Sequence, residues 1–291
     1  MTNEIFSNAH ASWVRYDNYE LRTDSSRDTY IVPAPNAKAI IYNPVDQVRD
    51  MAIEALNLGR EMDSCEDDAT ETTRRILRFV QKYGFLGVMM DVPINDNFFA
   101  EEETHFIPNP FFPIDEKMDT QEYIARFFPF EETVPELEQT DASISAYAGR
   151  KPIYEYVFSG AYSEWLMFYV SYFQNIFKLF DACMKYVDEP HLFRALALRT
   201  GILQFSEHKL RYSIAAAGQP VMRWEFASLK AVMDFFVVNC ITDPAQPVRQ
   251  CKHCGKIFYR EDLRMEFCSP QCRNRFNVYK SRGKKEDSTI R

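Results

Sequence analysis

Four cysteines near the end of the chain carry its strongest chemical signal. Two residues separate Cys251 from Cys254, three separate Cys268 from Cys272, and thirteen lie between the pairs. Four thiolates match tetrahedral Zn²⁺, and an all-cysteine set is a closed structural site with no position left for water. Gly255 follows the first pair, in the form of a zinc knuckle, where a glycine allows the tight turn. His253 lies inside the knuckle and is expected to be exposed rather than a ligand. Pro270 suits the first turn of a helix, so Cys268 falls at its start and Cys272 one turn in, where the helix dipole favours a thiolate. Ile257–Tyr259 and Met265–Phe267 are expected to pair as a small hairpin. Knuckle, hairpin and helix together predict a treble-clef-like four-cysteine zinc module over 249–283. The competing reading is four buried free thiols. Two close pairs within 22 residues, flanked by glycine and proline, weigh against it.

The helix that would follow Cys268 is strongly basic. Steps of about 100° from Cys272 put Phe276 and Tyr279 near the metal side. Arg273 and Lys280 fall on one flank, Arg275 and Arg282 on the other, with Asn274, Asn277 and Ser281 facing outward between them. A hydrogen-bonding ridge bordered by two cationic rows suits phosphates and base edges. Arg273, Asn274, Arg275, Asn277, Lys280 and Arg282 are therefore the candidate nucleic-acid contacts, DNA ahead of RNA. Lys284 and Lys285 extend a basic tail over 284–291. A solvated helix whose charges merely keep a small module soluble is the plain alternative.

The net charge of −8 argues against nucleic acid only when averaged. Residues 249–291 hold 12 Lys/Arg against 5 Asp/Glu, a balance of +7, which leaves −15 on the preceding 248 residues. Such a split between an acidic body and a basic end points to a charged partner at that end. With 46% hydrophobic and 15% aromatic residues, the body has ample material for a core of its own. Seven cysteines, an odd number at scattered spacings, do not read as a secreted disulfide framework. With no basic start and apolar run in residues 1–22, a cytoplasmic location is expected. Cys183 and Cys240 fall on apolar helix faces and read as core, while Cys65 is isolated.

The elements that must carry the module are mostly helical. Residues 12–34 read as a strand hairpin turning near Thr23–Ser26. Asn43-Pro44 starts a helix that Gly59 would stop, and a second covers about Thr70–Tyr83 with Gly84 at its C-cap. Residues 94–141 hold 13 Asp/Glu against Lys117 and Arg126, with interleaved prolines and phenylalanines. They are expected to form an irregular acidic excursion that could fold over the basic helix in cis. A long helix is expected over about 161–187 and another from about 191 to 217 ending at Gly218, the two packed antiparallel. A short strand follows at 221–226, a helix at about 226–240, and a linker at Asp243–Pro247. The fold class is thus mainly α with a small β-hairpin region. The body spans 1–243 and senses a ligand or binds a partner.

Pro247-Val248-Arg249-Gln250-Cys251, Cys254-Gly255-Lys256, Phe258, Phe267-Cys268-Ser269, Cys272-Arg273-Asn274-Arg275 and Lys280-Ser281-Arg282 carry a resemblance. They are similar to the CGNR-type zinc finger at the C-terminus of bacterial ABATE-domain proteins. Arg273 stands where that signature has its glycine. The resemblance covers about 226–282 and implies one structural Zn²⁺ on Cys251, Cys254, Cys268 and Cys272. It further implies DNA binding through the finger and a role in transcription regulation.

No phosphate-cradling glycine loop, H-E-x-x-H or G-x-S-x-G occurs. None of the five histidines (10, 105, 191, 208, 253) has a histidine or cysteine partner at helical spacing. The expectation is a non-enzymatic, zinc-containing DNA-binding regulator without membrane contact. A protein–protein adaptor with a purely structural zinc is the alternative.

Overall fold

A computed structural model describes residues 9–10, 13–24, 27–35, 37–63, 69–87, 163–186, 191, 211–217, 219–226, 228–243 and 245–288. The acidic stretch 94–141, Cys65 and most of the helix expected at 191–217 lie outside the described residues.

Among the described residues four helices build the body. Asn43 caps a short 3₁₀ turn, Pro44–Gln47, its side chain accepting from the Val45 amide at 3.2 Å. That turn runs into α1 (Val48–Asp63). α2 is Ala69–Tyr83, α3 Leu166–Tyr186 and α4 Leu229–Thr242. Gly84 ends α2 with φ +82° and its amide on the Val80 carbonyl at 2.7 Å, as its position implied. Gly59 does not end α1. A Cβ there would come within 1.9 Å of the Phe173 carbonyl oxygen on α3, so this glycine lets two helices approach backbone to backbone. Phe79, Tyr83, Tyr169, Phe173 and Phe180 are fully buried around this crossing.

α4 runs through the interior and is buried nearly all round. Its N-terminus is capped by Ser228, whose hydroxyl accepts from the Ala231 amide at 3.1 Å. One charged pair goes inside with it. Lys230 Nζ lies 2.7 Å from Asp234 Oδ2, and Tyr172 donates to Asp234 Oδ1 at 2.8 Å.

Strands are more extensive than one small hairpin. β1 (Ala9–His10), β2 (Trp13–Tyr16), β3 (Tyr19–Thr23), β4 (Thr29–Pro33) and β5 (Ala39–Tyr42) precede α1. The expected hairpin is β3–β4, turning at Asp24–Asp28, and β2 pairs with β5 instead. β6 (Glu164–Trp165) adds to β4 where a helix start was expected. The buried Glu164 carboxylate accepts from the Leu86 and Gly87 amides, each at 2.8 Å, and from the Tyr169 hydroxyl.

A helix is expected to run on to about 217. Residues 211–217 form β7 (Arg211–Ala217), paired antiparallel with β8 (Gln219–Glu225), rather than the end of a helix. Alanine favours helix, but cross-strand pairing overrides a local preference. β1 joins the other edge of β8 in parallel.

Candidate metal centre

The C-terminal module is built from β9 (Val248–Gln250), a turn, β10 (Ile257–Tyr259), a loop, and α5 (Pro270–Ser288). β10 pairs antiparallel with β9, Ile257 opposite Gln250. The knuckle turn between them is closed by Cys251 N–H on Lys256 O at 2.8 Å and Gly255 N–H on Cys251 O at 2.9 Å. Gly255 sits at φ +72°, the left-handed conformation that suits glycine. The expected pairing of 257–259 with 265–267 does not form. β9 lies one tight turn away and takes β10 first, while the Glu266 carbonyl accepts from the Lys252 amide at 3.1 Å. Ser269 then caps α5, accepting from the Cys272 amide at 3.2 Å, with Pro270 in the first turn.

This path brings the four cysteines together. The Sγ atoms of Cys251, Cys254, Cys268 and Cys272 all lie within 4.8 Å of one another. Cys254–Cys268 and Cys268–Cys272 are each 3.6 Å apart. Ligands 2.3 Å from a tetrahedral Zn²⁺ stand about 3.8 Å from each other, so the spacing fits one metal ion. Cys251 is buried, Cys268 and Cys272 half-buried, and Cys254 exposed. His253 is half-buried and outside the cluster.

The thiols disagree about ionisation in a way that suits a cation. Burial pushes Cys251 up, but the backbone N–H groups of Cys254, Cys268 and His253 outweigh it and bring the thiol down to about 6. Burial and the three neighbouring thiols push Cys268 up to about 12. Burial also raises Cys254. Cys251 carries charge readily, and Cys254 and Cys268 resist it. A divalent ion at the centre removes that conflict.

Sequence reasoning missed what holds the module to the body. Asn57 on α1 donates to the Ile257 carbonyl and accepts from the Ile257 amide, both at 2.9 Å. Its side chain continues the β10 edge as a third strand would. Arg49 of α1 lies over the Tyr259 ring, 5.3 Å from its centroid. Val248 and Ile257 belong to the same buried core as α1 and α4. Arg260 clamps the linker, donating to the carbonyls of Ala245 and Gln246 at 2.6 and 2.7 Å and to that of Leu263. An asparagine in mid-helix, a poor helix former, was the available signal for Asn57.

α5 presents its polar side outward. Arg273, Asn274, Arg275, Asn277, Lys280 and Ser281 are all exposed, and none of the three cations takes part in an ion pair among the described residues. Arg282 lies in α5, with its side chain outside the described residues. Phe276 packs on Phe267 at 5.2 Å between ring centroids, on the metal side as expected. Tyr279 stacks on His253, centroids 5.9 Å apart and planes at 22°, yet stays 63% exposed.

Four cysteines stand close enough together to hold one metal ion, on a mainly helical frame with small sheets. Among the described residues no helix is long and apolar enough to cross a membrane. No protein-family model, curated protein or solved structure matches the chain.

Proposed function

We propose that this chain is a zinc-dependent DNA-binding protein, a cytoplasmic regulator of transcription that contacts nucleic acid through α5 and performs no catalysis. The single observation that carries the reading is the set of exposed cations, Arg273, Arg275 and Lys280, that form no ion pair among the described residues, on a helix whose first turn supplies a cysteine of the cluster. Cys251, Cys254, Cys268 and Cys272 would hold one Zn²⁺ as a closed set. The all-sulfur donors and their spacing favour zinc over harder cations. The knuckle and the cysteine-bearing helix support a treble-clef-like reading, without the hairpin expected between them, and the motif residues named above resemble the CGNR-type finger.

In this reading Arg273, Arg275, Lys280 and Arg282 meet phosphates, and Asn274 and Asn277 face base edges. Each phosphate contact releases counterions, so affinity should fall with salt at a logarithmic slope of about −0.9 per contact. The test is a salt titration of duplex DNA binding by the metal-loaded protein. Changing Arg273, Arg275, Lys280 and Arg282 to alanine should abolish binding and leave the zinc content unchanged. Unchanged affinity or a flat salt dependence refutes the assignment.

One observation favours a second reading, a protein-binding adaptor. Leu263 (56%), Met265 (37%) and Val278 (46%) are exposed apolar residues of the same module. Docking through them would be insensitive to salt and to the four alanines. The expected cis suppression by 94–141 remains part of the proposal, and deletion of 100–118 should tighten DNA binding.

A further inference from the structure

We propose that the module takes unpaired nucleobases: the Tyr279 ring, backed by the His253 imidazole, is a stacking platform for a base of single-stranded nucleic acid. The inference rests on the nucleic-acid reading above and narrows it to a strand whose bases are free to stack.

The geometry begins with two neighbours on one side of α5. Phe276 and Tyr279 both face the metal side of the helix, yet they are treated differently. Phe276 is half-buried against Phe267, with 5.2 Å between ring centroids. Tyr279 meets only the edge of the module. Its ring lies nearly parallel to His253, at 22° and 5.9 Å, and 63% of the residue stays open to solvent. A ring supported from one side and open on the rest has lost freedom already, so a base that lands on it orders little more of the protein.

The surroundings fit a nucleic-acid strand rather than an apolar peptide. Arg275 lies one helical turn before Tyr279 and is therefore its neighbour on the helix surface. Lys280 follows directly. Both are exposed, and neither takes part in an ion pair among the described residues. Glu266 is paired with Lys252, and Lys280 adds to the positive field that holds its carboxyl below the usual range. Phosphates on either side of a stacked base would thus meet cations. Aromatic faces accept any base without reading its edge, and the same arrangement of ring and cation recurs wherever proteins hold single strands. In a duplex the base faces are covered by their neighbours, so the platform would go unused there.

The experiment compares one short mixed sequence as single-stranded DNA, single-stranded RNA and blunt duplex DNA. Binding to the full metal-loaded chain is followed by fluorescence anisotropy at one salt concentration. We expect a single strand to bind more tightly than the duplex. Tyr279→Ala and Tyr279→Leu should weaken single-strand binding roughly tenfold to a hundredfold, the range expected for loss of one base stack. Both should leave duplex binding within about twofold by the phosphate argument. Tyr279→Phe and Tyr279→Trp should retain single-strand affinity, and zinc content should match the parent throughout. A DNA or an RNA strand binding more tightly identifies the source of the bases, and either upholds the platform. Equal affinity for single strand and duplex, with Tyr279→Leu like the parent, overturns the platform and leaves the DNA reading standing. No binding to any of the three removes the DNA reading, and the platform falls with it.

Discussion

Basic side chains are handled in opposite ways in α4 and α5. In α4, Lys230 is 3% exposed, and its ammonium sits 2.7 Å from Asp234, which also accepts from Tyr172. On α5, Arg273, Arg275 and Lys280 stand in solvent with no ion pair among the described residues. A buried cation must be neutralised, because desolvating an unpaired charge costs several kcal/mol. An exposed cation carries no such demand and stays available to an anionic partner. The contrast extends to cohesion. The body buries whole aromatic rings, Phe79, Tyr169, Phe173 and Phe180 among them, whereas the described core of the module is Val248, Cys251, Ile257 and Phe258. The contrast predicts a body that holds itself and a module that leans on its thiol cluster and on the face of α1 behind it.

Removing the metal should separate the two regions most sharply. Structural zinc supplies about 10–16 kcal/mol of apparent binding energy, and in a small module that energy is folding energy. Chelation of the loaded protein should therefore expose amides across 249–288 to hydrogen exchange while α1 to α4 remain protected. Protection that persists in α5 without metal would show that docking on α1 suffices. Loss of protection in α1 as well would show that the two regions fold together.

Next in size is the buried charge. Asp234→Ala removes the carboxylate that lies 2.7 Å from the buried Lys230 ammonium, and breaking such a pair costs about 3–5 kcal/mol. Denaturant unfolding should show that loss. Replacing Lys230 and Asp234 together by methionine and leucine should recover most of it, since apolar pairs of similar volume often equal a buried ion pair. A single variant as stable as the parent would mean that water reaches the pair, and the first half of the contrast would fail.

Asn57→Ala addresses the seam. It leaves the Ile257 amide and carbonyl without their side-chain partner at a buried position. A buried donor and a buried acceptor left unpaired cost about 1–3 kcal/mol each. The expected result is faster exchange at Ile257 and a lower unfolding midpoint, with metal content unchanged. Equal exchange rates in parent and variant would show that the core contacts of Val248 and Ile257 hold the module unaided.

How much of this was legible in the residues follows the range of the forces involved. The cysteine cluster was legible, because ligand type and spacing are local and Gly255, Ser269 and Pro270 mark the turns around it. The ends of α2 and α4 were legible for the same reason. Gly59 misled, because a helix-stopping glycine and a close-packing glycine look alike until Phe173 arrives from more than a hundred residues away. Ala215–Ala217 misled because helix preference is intrinsic, while strand pairing with Gln219–Val221 is supplied by a partner. β9 is three residues long and has no periodicity to read. Asn57 was visible only as an awkward residue in a helix, and its partner lies 200 residues on.

The smallest effect on stability should come from the residues with the largest proposed effect on binding. Changing Arg273, Arg275 and Lys280 to alanine removes exposed side chains that hold no ion pair among the described residues, and such surface changes usually stay within about 0.5 kcal/mol. The sign can be argued further. Arg273 lies at the end of the first turn of α5, where the positive end of the helix dipole disfavours a cation. Alanine is also the better helix former. Thermal unfolding of the metal-loaded variant should therefore match the parent or rise slightly. A residue that folding would rather replace, kept at the helix end beside the thiol cluster, is better explained by what it meets than by what it holds. A midpoint several degrees lower would mean that these cations brace the module. The contrast between paired and unpaired charge would then dissolve, and with it the reason to look for an anionic partner on α5.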